Sequence, residues 1–146
     1  MSSLKTLITD GRVFTVSRDK TLKMWSADSL ELLATCTEAS DELACLAVSA
    51  SFVATGGDDE MVRIYTRSDL RIRHALAHPD TSRVLSLAMD DVRVIAGYDD
   101  GQLMQWRLPD GEPGRPLPHD HEDEISALHI LTTRRAVSCA WDGKLM

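Results

Sequence analysis

Short apolar runs of about 4 to 6 residues, bounded by Gly, Pro, Asp or Ser, follow one another along the chain, the pattern of strands joined by tight hairpins. The first group runs Leu4 to Ile8, Val13 to Val16, Leu22 to Trp25 and Leu30 to Cys36, with turns at Asp10-Gly11, Asp19 and Ala27-Asp28-Ser29. A second supplies Leu43 to Val48, Phe52 to Thr55, Val62 to Tyr65 and Leu70 to Leu76. In its last member Leu70, Ile72, His74 and Leu76 alternate with Arg71, Arg73 and Ala75, which predicts one buried and one wetter face, as on an outer strand. The third group is Val84 to Met89, Val92 to Ala96 and Leu103 to Trp106, followed by Pro109, Pro113 and Pro116. Proline cannot donate to a ladder, so the fourth strand here is expected to be short, irregular or at an edge. The last group offers Ile125 to Ile130 and Ala136 to Ser138. No stretch sustains the 3.6-residue apolar period of a helix, and the expected fold class is all-β.

The groups share a register. Asp19-Lys20-Thr21-Leu22-Lys23-Met24-Trp25 returns as Asp59 to Tyr65 and as Asp100 to Trp106, with six positions from acid to ring each time, and Asp142-Gly143-Lys144-Leu145-Met146 begins a fourth copy. The acids lie 40, 41 and 42 residues apart, inside the window of about 40 to 45 residues of four-stranded propeller blades. The repeats span about 1–38, 39–78, 79–121 and 122–146, the last incomplete, and no low-complexity linker divides them.

With 146 residues and 43% hydrophobic content the chain can build a core. A formal net charge of −7, from 23 acids against 16 bases, argues against a surface that tracks phosphates and for proteins or peptides as partners, basic or amphipathic ones above all. The three cysteines, Cys36, Cys45 and Cys139, cannot all pair within one chain, which suits free thiols in a reducing, intracellular compartment. No apolar stretch approaches the ~18 residues of a membrane span and Met1 to Lys5 has no signal-like core, so no membrane is expected.

At the recurring residues the chain resembles the WD40 family of β-propellers, whose repeat carries a His before the first strand, a hydroxyl in the second, an Asp in the next turn and a Trp in the third. The resemblance implies a relay in which ring NH, imidazole and hydroxyl serve a buried Asp in each blade, as an unpaired buried carboxylate would be costly. Position by position it assigns Thr15, Asp19 and Trp25 in the first repeat. In the second it assigns Thr55 and Asp59, with Tyr65 in place of Trp, and in the third His78, Asp100 and Trp106, with Ala96 at the hydroxyl position. The fourth has Ser138 and Asp142, with His119 or His121 as imidazole and no ring. None has all four members, and no Trp-Asp dipeptide follows the rings. Even spacing makes these acids structural, not a catalytic set.

In the implied geometry the residue before each Asp, namely Arg18, Asp58, Asp99 and Trp141, stands on an exposed rim with Asp41, Glu42, Arg83 and Glu124 from the loops before the first strands. An exposed large aromatic such as Trp141 is a typical interface anchor, the alternative being that it rests against a neighbouring loop or blade. The run His119-Asp120-His121-Glu122-Asp123-Glu124 is the one constellation that suggests chemistry, a divalent metal site, yet no distal Cys or His has ligand spacing and no metal or other cofactor is expected. No phosphate loop, nucleophile elbow or paired-cysteine motif occurs; Gly56, Gly57 and Gly97 suggest tight backbone geometry. The expected function is a non-enzymatic interaction scaffold, the alternative a metal-dependent or hydrolytic propeller enzyme built on His119 to Glu124. Three and a half repeats leave open edges, which predicts self-association, a fragment of a longer protein, or two chains in one ring of about seven blades.

Overall fold

The computed structural model describes residues 4–80, 82–118, 121–132 and 135–146, and every regular element among them is a β-strand. Asp10 and Gly11, with φ of 46° and 73°, turn β1 (Leu4–Thr9) into β2 (Arg12–Ser17). Positive φ at both central residues is what a two-residue hairpin requires to follow the strand twist. With β3 (Leu22–Ser26) and β4 (Leu32–Cys36) these form the first antiparallel sheet, in the order β1-β2-β3-β4. The second sheet repeats the meander with β5 (Leu43–Val48), β6 (Phe52–Gly57), β7 (Met61–Thr66) and β8 (Ile72–Ala77). The third does so with β9 (Val84–Met89), β10 (Arg93–Tyr98), β11 (Leu103–Arg107) and β12 (Glu112–Pro116), and the fourth stops after β13 (Ile125–Thr132) and β14 (Arg135–Ala140). First strands neighbour first strands, β1 beside β5, β5 beside β9 and β9 beside β13, so the sheets stand as blades around a common centre. The ring is not closed.

The core lies between blades, because alternate strand residues point to opposite faces. In β6, Val53 joins Phe14, Val16, Leu22 and Met24 of blade one, while its neighbour Ala54 joins Val84, Val94 and Trp106 of blade three. A smaller cluster of Ile95, Leu103, Ile125 and Ala140 holds blade four to blade three. Each fully buried aliphatic chain contributes about 1.5–3 kcal/mol. Gly56 and Gly97 keep these seams tight: a Cβ there would overlap the side chains of Val84 and Ile125 on the first strand of the next blade.

Several strand limits differ from the sequence reading. Leu30 is not in β4, which starts at Leu32; it ends the β3–β4 turn at φ 59°. Leu70 is not in β8; it ends the β7–β8 turn at φ 54° and its side chain is buried against blade one. β8 therefore starts at Ile72, which is exposed, and the expected alternation holds from half-buried His74 to buried Leu76, with Arg73, Ala75 and Ala77 exposed. β13 and β14 both run past the predicted limits, which puts His129 in mid-strand opposite Val137. The proline-containing β12 is an edge strand with a register shift against β11.

Candidate functional site: four aspartate turns and the rim they carry

Each recurring Asp does one thing in every blade. Its Oδ1 accepts the amide two residues on, from Thr21 at 3.1 Å, Met61 at 3.3 Å, Gln102 at 3.0 Å and Lys144 at 2.8 Å. This Asx turn leaves the residue after the Asp in the left-handed region, with φ of 72° at Lys20, 65° at Glu60, 83° at Gly101 and 79° at Gly143. A side chain there is strained, and glycine in the last two repeats relieves it.

In blades two, three and four the second carboxylate oxygen finds a different partner each time, while in blade one both bonds from Thr21 go to Oδ1 of Asp19. Blade four is the most connected: His121 Nδ1 lies 3.2 Å from Asp142 Oδ2, its Nε2 lies 2.8 Å from Ser138 Oγ, and the Glu122 amide donates to Asp142 Oδ2 at 3.0 Å. Burial raises the Asp142 carboxyl, but the Glu122 and Lys144 amides and the His121 ring outweigh it and hold the group below its ordinary value. In blade two Arg63 pairs with Asp59, whose side chain is inaccessible to solvent, and the Ser40 amide adds a bond of 3.1 Å. In blade three Ser82 Oγ donates to Asp100 at 2.9 Å, while His78 meets Gln102 Oε1 at 3.1 Å and stacks at a tilt on Tyr98, ring centroids 4.6 Å apart. In blade one Trp25 donates its indole NH to Thr15 at 3.0 Å, and Thr21, bonding through its hydroxyl, holds the exposed Asp19 below the ordinary carboxylate range.

These turns set the rim. In blades two, three and four the amide before the Asp donates to the loop ahead of the first strand, Asp58 to Glu42 O at 2.9 Å, Asp99 to Arg83 O at 3.2 Å and Trp141 to Glu124 O at 3.1 Å. Arg18 reaches Glu42 across the first seam at 3.5 Å. Arg83 donates through Nε to Asp99 at 2.9 Å; that bond, with Asp58 and Glu124 nearby, pushes its guanidinium further up. Trp141 is 75% exposed.

No family model matches the chain. Mitochondrial division protein 1 of Schizosaccharomyces pombe is 31% identical over 123 residues, covering 69% of this chain and 19% of that protein. Pre-rRNA-processing protein IPI3 of Yarrowia lipolytica is 26% identical over 153 residues, covering 85% and 34%. The chain thus spans a fifth to a third of the curated relatives it matches. The crystal structure of the RRP9 WD40 repeats superposes with a TM-score of 0.89 at 21% identity, over 99% of this chain and 47% of that one. The chain is a partial WD40 propeller. The computationally designed Ika4 protein is also similar in fold, with a TM-score of 0.84 at 25% identity over 100% of this chain and 90% of its own.

Within this propeller His121, Ser138 and Asp142 of blade four make the links the resemblance implies, while in the other blades the relay does not assemble among the described residues, for separate reasons. Asp19 and Asp100 are exposed and capped by their own turns. The Thr55 hydroxyl is buried without a hydrogen-bond partner, because Tyr65 carries no ring NH; the Tyr65 phenol is pushed up to about 12 by burial, opposed only in part by nearby Thr55. Trp106 is buried beside Ala96, which offers no hydroxyl, and His78 is diverted to Gln102. Arg63, Ser82 and Gln102 are the partners missed from sequence; their one signal was a fixed offset from the Asp or the His-bearing loop. Of the proposed metal run, His119 and Asp120 lie outside the described residues, and His121 is committed to Ser138 and Asp142. Among the described residues no three His, Cys, Asp or Glu side chains gather for a metal, and no helix is long and apolar enough to cross a membrane.

Proposed function

We propose that this partial propeller is a non-enzymatic scaffold that docks partner proteins on the rim formed by Arg18, Asp58, Arg83, Asp99 and Trp141. The observation that carries the reading is Trp141, a large indole held out on a turn whose backbone is fixed to Glu124. Fixing the turn before a partner arrives lowers the ordering cost of binding, and a buried Trp commonly supplies 2 kcal/mol or more, roughly 30-fold in affinity. Around it Glu42, Asp58, Asp99 and Glu124 outnumber Arg18 and Arg83, so the fitting partner is a protein segment with basic residues flanking an apolar pocket for the indole.

A protein partner, in preference to nucleic acid, is supported by the net charge of −7. An intracellular setting is supported by the three cysteines, which cannot all pair within one chain, and by the names of the relatives, a mitochondrial division protein and a pre-rRNA-processing protein. The relay residues are read as structural, holding the turns from which the rim projects. The test is quantitative capture of partners by proximity labelling and mass spectrometry on wild type and Trp141→Ala. Loss of about tenfold or more for a defined set is expected; unchanged capture of every partner rejects the rim as the docking face.

A further inference from the structure

Each four-stranded blade ends in an outer strand, β4, β8 or β12, that has one hydrogen-bonded neighbour in its sheet and an unpaired far edge among the described residues. Such an edge is a template for another chain, and the three are not equal. β12 holds Pro113 and Pro116, which have no NH to give. β4 carries no charged residue. β8 has no proline, and the stretch from Arg71 to Ala77 holds two arginines, a histidine and no acid, in a chain whose net charge is −7. Blade two has a neighbouring blade on either side, so its outer edge is open because it lies at the circumference.

The start and the end of β8 differ in chemistry. At its end lies a groove of about 330 Å³, lined by Leu76, Ala77 and Pro79 of blade two and by Met104, Trp106 and Gly111 of blade three. Leu76, Met104 and Trp106 belong to the core of that seam, so the groove is apolar. At its start Tyr65 stands opposite Ile72 and Ile64 opposite His74, which leaves Arg73 with no counterpart on β7. A bulge of this kind re-aims the side chain it frees, and Arg73 is exposed. Arg71 meets Asp69 at 3.5 Å with the two side chains 85% and 50% exposed, a contact that contributes little in water and exchanges readily for another carboxylate.

We propose that β8 takes up an extended segment of a partner protein as a fifth strand of blade two, the segment being acidic at one end and apolar at the other. Its main chain pairs with the free edge, its carboxylates lie against Arg71 and Arg73, and alternate side chains of its apolar half enter the groove beside Leu76. Backbone pairing supplies affinity and the alternating side chains supply specificity. A second copy of β8 does not fit this role, because pairing β8 with itself sets the arginines of two copies on adjacent strands. The surface is separate from the acidic rim, whose fitting partner is basic, and stands whether or not the rim docks anything.

The test is fluorescence anisotropy on the full chain with a short fluorescein-labelled peptide, valine and threonine alternating and closing in a pair of glutamates. This sequence or its reverse should bind saturably. Arg71→Glu/Arg73→Glu should weaken binding about tenfold or more with an unchanged far-ultraviolet spectrum, since both side chains are exposed. Lysines in place of the glutamates should restore binding to that variant. Trp141→Ala should leave the affinity unchanged, and hydrogen exchange should slow at the β8 amides when the peptide is added. No binding of either sequence up to about 1 mM, affinity indifferent to the double charge reversal, or slowed exchange only outside β8 would each overturn the proposal. So would β8 amides already protected in a two-chain species before any peptide is present, because a second copy would then hold the edge.

Discussion

Blade two is covered on both faces and blade four on one, and their aspartates are held differently. Asp59 sits out of solvent between two blades and is matched by a permanent cation, Arg63, together with the amides of Ser40 and Met61. Asp142, under a single neighbour, is matched by a chain of neutral-capable donors, His121 to Ser138, with the amides of Glu122 and Lys144. What the repeat holds constant is the turn; what it lets vary is the source of the remaining donors. A carboxylate with no access to water needs full compensation from the protein, while one that keeps some access can share with solvent.

Substitution at Arg63 tests that contrast most sharply. Arg63→Met leaves Asp59 uncompensated in a dry seam and is expected to cost about 3–5 kcal/mol by urea unfolding, with part recovered in Arg63→Met/Asp59→Asn. A cost no larger than that of removing an exposed charge would show that the two amides suffice. Next comes the core. Ile64→Ala, in the seam between blades two and three, should cost about 2–5 kcal/mol, whereas Leu33→Ala on the half-open outer strand of blade one should stay within about 0.5 kcal/mol. Equal costs would mean that outer strands are buried in the assembled protein.

The smallest effect is in acid. The folded-state Asp142 titrates below its ordinary 3.8, so the native state binds that proton less readily than the unfolded chain does. Its contribution is complete above pH 3.8 and is lost as pH falls through the depressed value. Urea midpoints at about pH 5 and about pH 3 should therefore converge in Asp142→Asn relative to wild type. If the variant keeps the wild-type acid slope, the turn of blade four does not contribute to it.

The strands and their period were legible because apolar runs, hairpin residues and the evenly spaced acids all act locally. The donors were not, since Arg63, Ser82 and Gln102 become partners only after hairpins bring their offsets together, and their side-chain types differ from blade to blade. The left-handed position after each Asp was half visible. Gly101 and Gly143 advertise it, but Lys20 and Glu60 occupy the same backbone geometry. Leu70 shows the converse error: an apolar residue in an alternating run can belong to a turn when the seam beneath that turn needs filling. On the rim, the pairing of Arg83 with Asp99 spans sixteen residues across a hairpin, and composition gives no hint of it.

The placement of the tryptophans makes the molecule optically divisible. The chain has three: Trp106 buried in the central seam, Trp25 half-covered on the outer face of blade one, and Trp141 projecting from the rim of blade four. Their emission should separate into a blue, quencher-resistant component, an intermediate one and a red component open to acrylamide. Single-tryptophan variants thus read core melting, coverage of the first blade and occupancy of the rim as three independent signals, with no dye attached.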